Sequence, residues 1–172
     1  MCIVYRKANG INTYVGGASL IARNKVLTVA HKFLVKTSKV DEDIVFSPDI
    51  YVRCGEHDVK LTTEFLQSQE SRVLSVHLHP DYDKKNIFNN LAILETESNF
   101  IYQKHIGPVC LPSPGERFEG LTDCISTGWG ADAQQSTNPN AVYSDVLKKV
   151  TLPVMRSRDQ CAVDISAIPR FV

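Results

Sequence analysis

The segment Gly16-Gly-Ala-Ser-Leu-Ile-Ala-Arg-Asn-Lys-Val-Leu-Thr-Val-Ala-His31 reads as two short apolar strands that deliver a histidine to the start of a loop. Imidazole is the side chain best suited to moving protons near neutral pH. A serine hydroxyl is a poor nucleophile until such a group takes its proton. The imidazole must in turn hold the right tautomer, which a buried carboxylate imposes from its other ring nitrogen. A second pair, His77 and His79, shares one strand face and has the spacing of two metal ligands, but no third ligand is evident and none is expected to bind. The cysteines Cys2, Cys54, Cys110, Cys124 and Cys161 contain no C-x-x-C pair, which argues against a zinc knuckle.

Composition narrows the field. The 172 residues carry 19 basic and 19 acidic side chains, hence no formal net charge. Balanced charge gives no attraction to nucleic acid or to an acidic membrane surface, and neither is expected as a partner. No apolar run approaches the roughly 20 residues of a membrane-spanning helix. Residues 1–5 are too short for a signal peptide and Arg6-Lys7 lies on the wrong side of them, so an export signal is expected outside these residues. Scattered cysteines in an all-β chain fit structural disulfides in an oxidising compartment. Their odd number leaves at least one without an internal partner.

The elements that must position His31 read as short strands separated by turn residues. Candidates are 3–5, 13–15 and 19–21 with Gly16-Gly17 between them, 26–29, 50–54, 70–79 and 87–94. Residues 36–48 are polar and acidic and read as a surface loop. A Pro-rich connector at 107–115 is the best domain boundary, dividing a first β-barrel (1–109) from a connector and further strands (110–172). After it come strand candidates at 123–128 and 146–154, with a polar loop at 132–144. Ser157-Arg-Asp-Gln160 has capping-box spacing and predicts one short helix near the end. Even spacing of strands without alternating helices argues for an all-β barrel or sandwich.

In this order and at these intervals the motifs resemble those of trypsin/chymotrypsin-like serine proteases along nearly the whole chain. The segment ending at His31 is similar to that family's "GGSLI…VLTAAH". Val52-Arg-Cys-Gly-Glu-His-Asp58 is similar to "VRLGEHD", His79-Pro-Asp-Tyr82 to "HPxY", and Asn89-Asn-Leu-Ala-Ile-Leu94 to "NDIALL". Gly107-Pro-Val-Cys-Leu-Pro112 resembles the interdomain connector, and Cys124-Ile-Ser-Thr-Gly-Trp-Gly130 resembles "CxxTGWG". The resemblance implies a double Greek-key β-barrel, the second barrel incomplete, with a short intermediate helix near the C-terminus. It places His31 at the general-base position and Asn90 at the position of the orienting aspartate. Asn89 is no carboxylate either, and Asp81 and Asp83 fall in the turn before the strand. The nucleophile segment "GDSGG", the oxyanion hole and the specificity pocket are implied to follow Val172. An "IVGG"-like terminus is implied to precede Met1. The chain is thus expected to be part of a longer product and not to work as a protease by itself.

Further expectations follow from the same resemblance. The family disulfide beside the catalytic histidine is replaced on both sides, by Val15 and Lys32. Cys110, Cys124 and Cys161 are implied to pair outside the chain, and Cys2 with Cys54 inside the first barrel. No metal or cofactor is expected, although Glu56, with Glu64 or Glu70, matches a position that helps bind calcium in some relatives. The resulting reading is a secreted, catalytically inactive homologue of clip-domain type, a binding cofactor or regulator in an extracellular proteolytic or immune cascade. Its partners would be proteins, a protease or zymogen. The alternative is an active serine endopeptidase acting on peptide substrates.

Overall fold

The computed structural model describes residues 1–34, 49–130 and 143–154, and the chain divides into two units, Met1–Leu111 and Pro112–Val172. In the first unit, β1 (Cys2–Ala8) and β2 (Ile11–Ala22) form a hairpin. Its turn is Asn9-Gly10, with φ of 51° and 78°. Both residues lie in the left-handed region, the signature of an Asn-Gly hairpin turn whose twist matches that of the strands. β3 (Lys25–Thr28) runs back along β2, and a single 3-10 turn, Ala30–Phe33, follows. β4 (Ile50–Cys54), β5 (Gln69–Leu78) and β6 (Ala92–Thr96) complete a closed barrel in the order β1-β2-β3-β6-β5-β4, with every pairing antiparallel.

Period-two patterning explains the interior. Ile50, Val52 and Cys54 point inward from β4 and alternate with half-buried Tyr51 and Arg53. Ala92 and Leu94 do the same on β6. With Val4, Leu20, Val26, Val73 and Phe100 they make one contiguous core. Cys2 and Cys54, direct partners in the β1–β4 ladder, are joined by a disulfide inside it.

Two local readings of the sequence are corrected. β2 is one continuous strand of 12 residues, not two strands parted by Gly16-Gly17. Val4 pairs with Gly16 and Tyr5 with Tyr14, so Val15 is the extra residue of a bulge; it packs against the core. The strand expected over 87–94 begins only at Ala92. Ile87 and Asn89 have φ of 60° and 54°, a backbone that cannot join an extended ladder.

In the second unit, β7 (Cys124–Gly128) and β8 (Lys148–Leu152) form a two-stranded antiparallel sheet. Its ends are tied by main-chain bonds from Val154 N–H to the Leu121 carbonyl (2.7 Å) and from Ser144 N–H to the Trp129 carbonyl (3.1 Å). Cys161, the 157–160 capping box, the loop 36–48 and most of the loop 132–144 lie outside the described residues.

Replacing Cys2 and Cys54 together by alanine releases a constraint spanning 52 residues. The unfolding free energy should fall by about 2–4 kcal/mol, read from the denaturant midpoint. Gly55→Ala should cost a similar amount, about 2–4 kcal/mol. Gly55 sits at φ 81°, and an added Cβ would stand 2.6 Å from Ile106 Cγ1 and 2.8 Å from His105 Cδ2.

Candidate functional site

His31 and Asn90 are 59 residues apart and meet because of one strand pairing. β3 and β6 pair antiparallel, with Thr28 opposite Ala92. The end of β3, which leads into His31, therefore lies beside the start of β6, which follows Asn90. Thr28 Oγ1 donates to the Gly17 carbonyl (3.0 Å) and ties this end of β3 to β2. In the 3-10 turn Ala30 and Phe33 are buried, which forces the intervening His31 and Lys32 outward.

The Asn90 side is set by a turn. Asn89 adopts the left-handed backbone that Asn tolerates better than most residues. Its side-chain amide donates to the Asp81 carbonyl at 2.9 Å. Leu91 N–H donates to the Asn89 carbonyl (2.7 Å), and His79 N–H donates to the Leu91 carbonyl (2.9 Å), so residues on both sides of Asn90 are held.

The main-chain N–H of His31 donates to Asn90 Oδ1 at 2.9 Å. That bond orients the amide, since a reversed amide would set two donors against each other. Nδ2 then faces the imidazole, 2.9 Å from Nδ1, whereas Oδ1 is 3.2 Å away. An amide NH₂ is a donor, so Nδ1 of the neutral ring accepts and the ring hydrogen sits on Nε2. A general base needs the lone pair on Nε2. The arrangement supplies a hydrogen there instead, and Asn90 carries no charge to stabilise an imidazolium.

The other candidates are occupied elsewhere. Asp83 closes its own turn, accepting from Asn86 Nδ2 (2.7 Å) and Lys85 N–H (2.8 Å). The Asn86 amide, foremost, and the Lys85 N–H hold its carboxyl below the usual range. His77 Nε2 lies 2.9 Å from Ser75 Oγ and 3.5 Å from Glu95 Oε2. Lys25, before Ser75, keeps the Glu95 carboxyl low. His79 Nδ1 accepts from Asp81 N–H at 3.1 Å. Among the described residues no group of three or more His, Cys, Asp or Glu side chains is placed to hold a metal ion. Glu56 is buried and accepts from Arg53 and Ser68. Among the described residues neither Cys110 nor Cys124 has a disulfide partner, and Cys110 is exposed. Sequence reasoning missed the His31 N–H to Asn90 Oδ1 bond, because a main-chain donor has no residue-type signal.

The model of the trypsin family matches residues 2–168. The chain belongs to the trypsin family. Both His31 and Asn90 lie inside that trypsin match. Curated relatives include the "Inactive CLIP domain-containing serine protease A8" of Anopheles gambiae, 37% identical over 87% of this chain and 36% of the relative. Another is "Phenoloxidase-activating factor 2" of Galleria mellonella, 36% identical over 88% of the chain and 45% of the relative. The chain thus spans less than half the length of these two relatives. The solved "Structure of GrC" superposes with a TM-score of 0.70 over 98% of this chain and 66% of that one. At 23% identity, this similarity establishes the trypsin-like fold. No helix among the described residues is long and apolar enough to cross a membrane.

Asn89→Val should lower stability by about 2 kcal/mol, combining left-handed backbone strain with a lost hydrogen bond. A shift of the denaturant midpoint checks this.

Proposed function

We propose that this chain belongs to a trypsin-family homologue that has lost proteolysis and acts by binding, as a cofactor or regulator in an extracellular protease cascade. The observation that carries the reading is the Asn90 amide 2.9 Å from His31 Nδ1. In an otherwise intact triad, the same exchange of aspartate for asparagine costs about 10⁴ in turnover through the wrong tautomer. Two further observations support it. Relatives are named as an inactive serine protease and as a phenoloxidase-activating factor, which points to innate immunity and to a protease or zymogen as partner. The buried Cys2–Cys54 disulfide suits an oxidising, extracellular setting. Disulfides from Cys110, Cys124 and Cys161 to cysteines outside these residues belong to the same proposal.

One observation favours a second reading, an endopeptidase with an impaired triad acting on peptides. His31 keeps its place and its exposure beside position 90. Reacting the whole gene product with an active-site fluorophosphonate probe separates the two. The first reading expects no labelling of the wild type, because the Asn90 amide holds the wrong tautomer of His31. Slow labelling of the wild type, accelerated in Asn90→Asp by up to about 10⁴, would establish the second and overturn the first.

A further inference from the structure

We propose that Arg53 is the built-in cation of the loop 55–68, so that this loop closes without a divalent metal ion. The loop joins β4 to β5, and hydrophobic burial does not hold it. Its apolar side chains Val59, Leu61, Phe65 and Leu66 are all exposed, Phe65 to 98%. Its shape rests on polar contacts instead. Glu64 Oε1 accepts from Asp58 N–H at 2.8 Å, and His105 Nε2 lies 3.0 Å from the Gln67 carbonyl.

Arg53 is the centre of this set. Its Nη1 donates to Glu56 Oε2 (3.3 Å), at the start of the loop. Its Nη2 donates to Glu70 Oε2 (3.0 Å), just past the loop's end. Ser68 Oγ donates to the same Glu56 oxygen at 3.3 Å, which draws the two ends of the loop together. Glu56 is only 6% exposed, and a carboxylate so buried needs a cation or several donors. The planar guanidinium is suited to bridging two carboxylates.

The residue is also placed rigidly. Arg53 is the ladder partner of Ile3 on one side and of Glu70 on the other. Its guanidinium lies 5.3 Å from the Tyr5 ring centroid. That ring stacks on Tyr51, over which Lys7 Nζ sits at 4.4 Å. Lys7 also donates to the other oxygen of Glu70.

A calcium ion does not fit between Glu56 and Glu70, and Oε1 of Glu64, the other expected partner, is taken by Asp58 N–H. Calcium takes about six to eight oxygen ligands. Here Glu56 Oε1 accepts from His57 N–H and Oε2 from Arg53 and Ser68, while both oxygens of Glu70 are held by Lys7 and Arg53. A divalent ion between Glu56 and Glu70 would also stand against the guanidinium.

The test is cleavage of the whole chain at exposed Lys60 by a lysine-specific endoprotease, followed by mass spectrometry. Cleavage should proceed at the same rate in chelator and in about 1 mM calcium, a concentration that fills extracellular calcium sites. Slower cleavage in calcium would overturn the proposal. Arg53→Met should speed cleavage by about tenfold or more, equivalent to about 1.4 kcal/mol in the opening equilibrium. An unchanged rate would overturn it equally. If Arg53→Met does not fold, Glu56→Gln reads the same clamp while leaving Arg53 bonded to Glu70 within the ladder.

Discussion

The main-chain N–H of His31 decides which way the Asn90 amide points, and the chemistry available to the imidazole follows from that. A carboxylate at position 90 would present an acceptor to both the main-chain donor and the ring. A carboxamide has one acceptor only, and the main chain takes it at 2.9 Å. The remaining NH₂ then faces Nδ1 and leaves the hydrogen on Nε2. A one-atom change at Asn90 is thus amplified by a bond to which His31 contributes only its backbone. The barrel makes this unavoidable. β3 and β6 are ladder partners, Ala30 and Phe33 anchor the 3-10 turn, and the Asn89 turn holds the other side.

The barrel is braced by means suited to its own sequence. Val15 and Lys32 stand where the resemblance in sequence implied a disulfide beside the histidine. Val15 takes a bulge position and packs on the core, while Lys32 projects outward from the 3-10 turn. A covalent link exists instead between β1 and β4, through Cys2 and Cys54. On the outer face of the same two strands, Tyr5, Tyr51, Lys7 and Arg53 stack and pair with Glu70. One pair of strands therefore carries both the buried disulfide and the ionic clamp of the loop that follows.

Much of the fold could be read from the sequence because alternation in a half-buried strand is a direct imprint of the core. Ile50, Val52 and Cys54 are an instance. The Asn9-Gly10 turn likewise uses two residue types that accept a left-handed backbone. Two features were hidden. Gly16-Gly17 reads as a break, yet pairing to β1 carries the strand through it and places the irregularity at Val15. Ile87 gives no sign of a left-handed backbone, since a β-branched residue is among the least suited to one; the surrounding turn imposes it. At the site, the types of His31 and Asn90 were visible in the sequence. The amide's orientation was not, because it depends on a main-chain donor whose position only the three-dimensional structure defines.

The most direct measurement is the pair of ¹⁵N chemical shifts of the His31 ring in the neutral form, from uniformly labelled protein. The account predicts a protonated Nε2 and an unprotonated, hydrogen-bonded Nδ1. A proton on Nδ1 with a bare Nε2, the tautomer of a working general base, would contradict it.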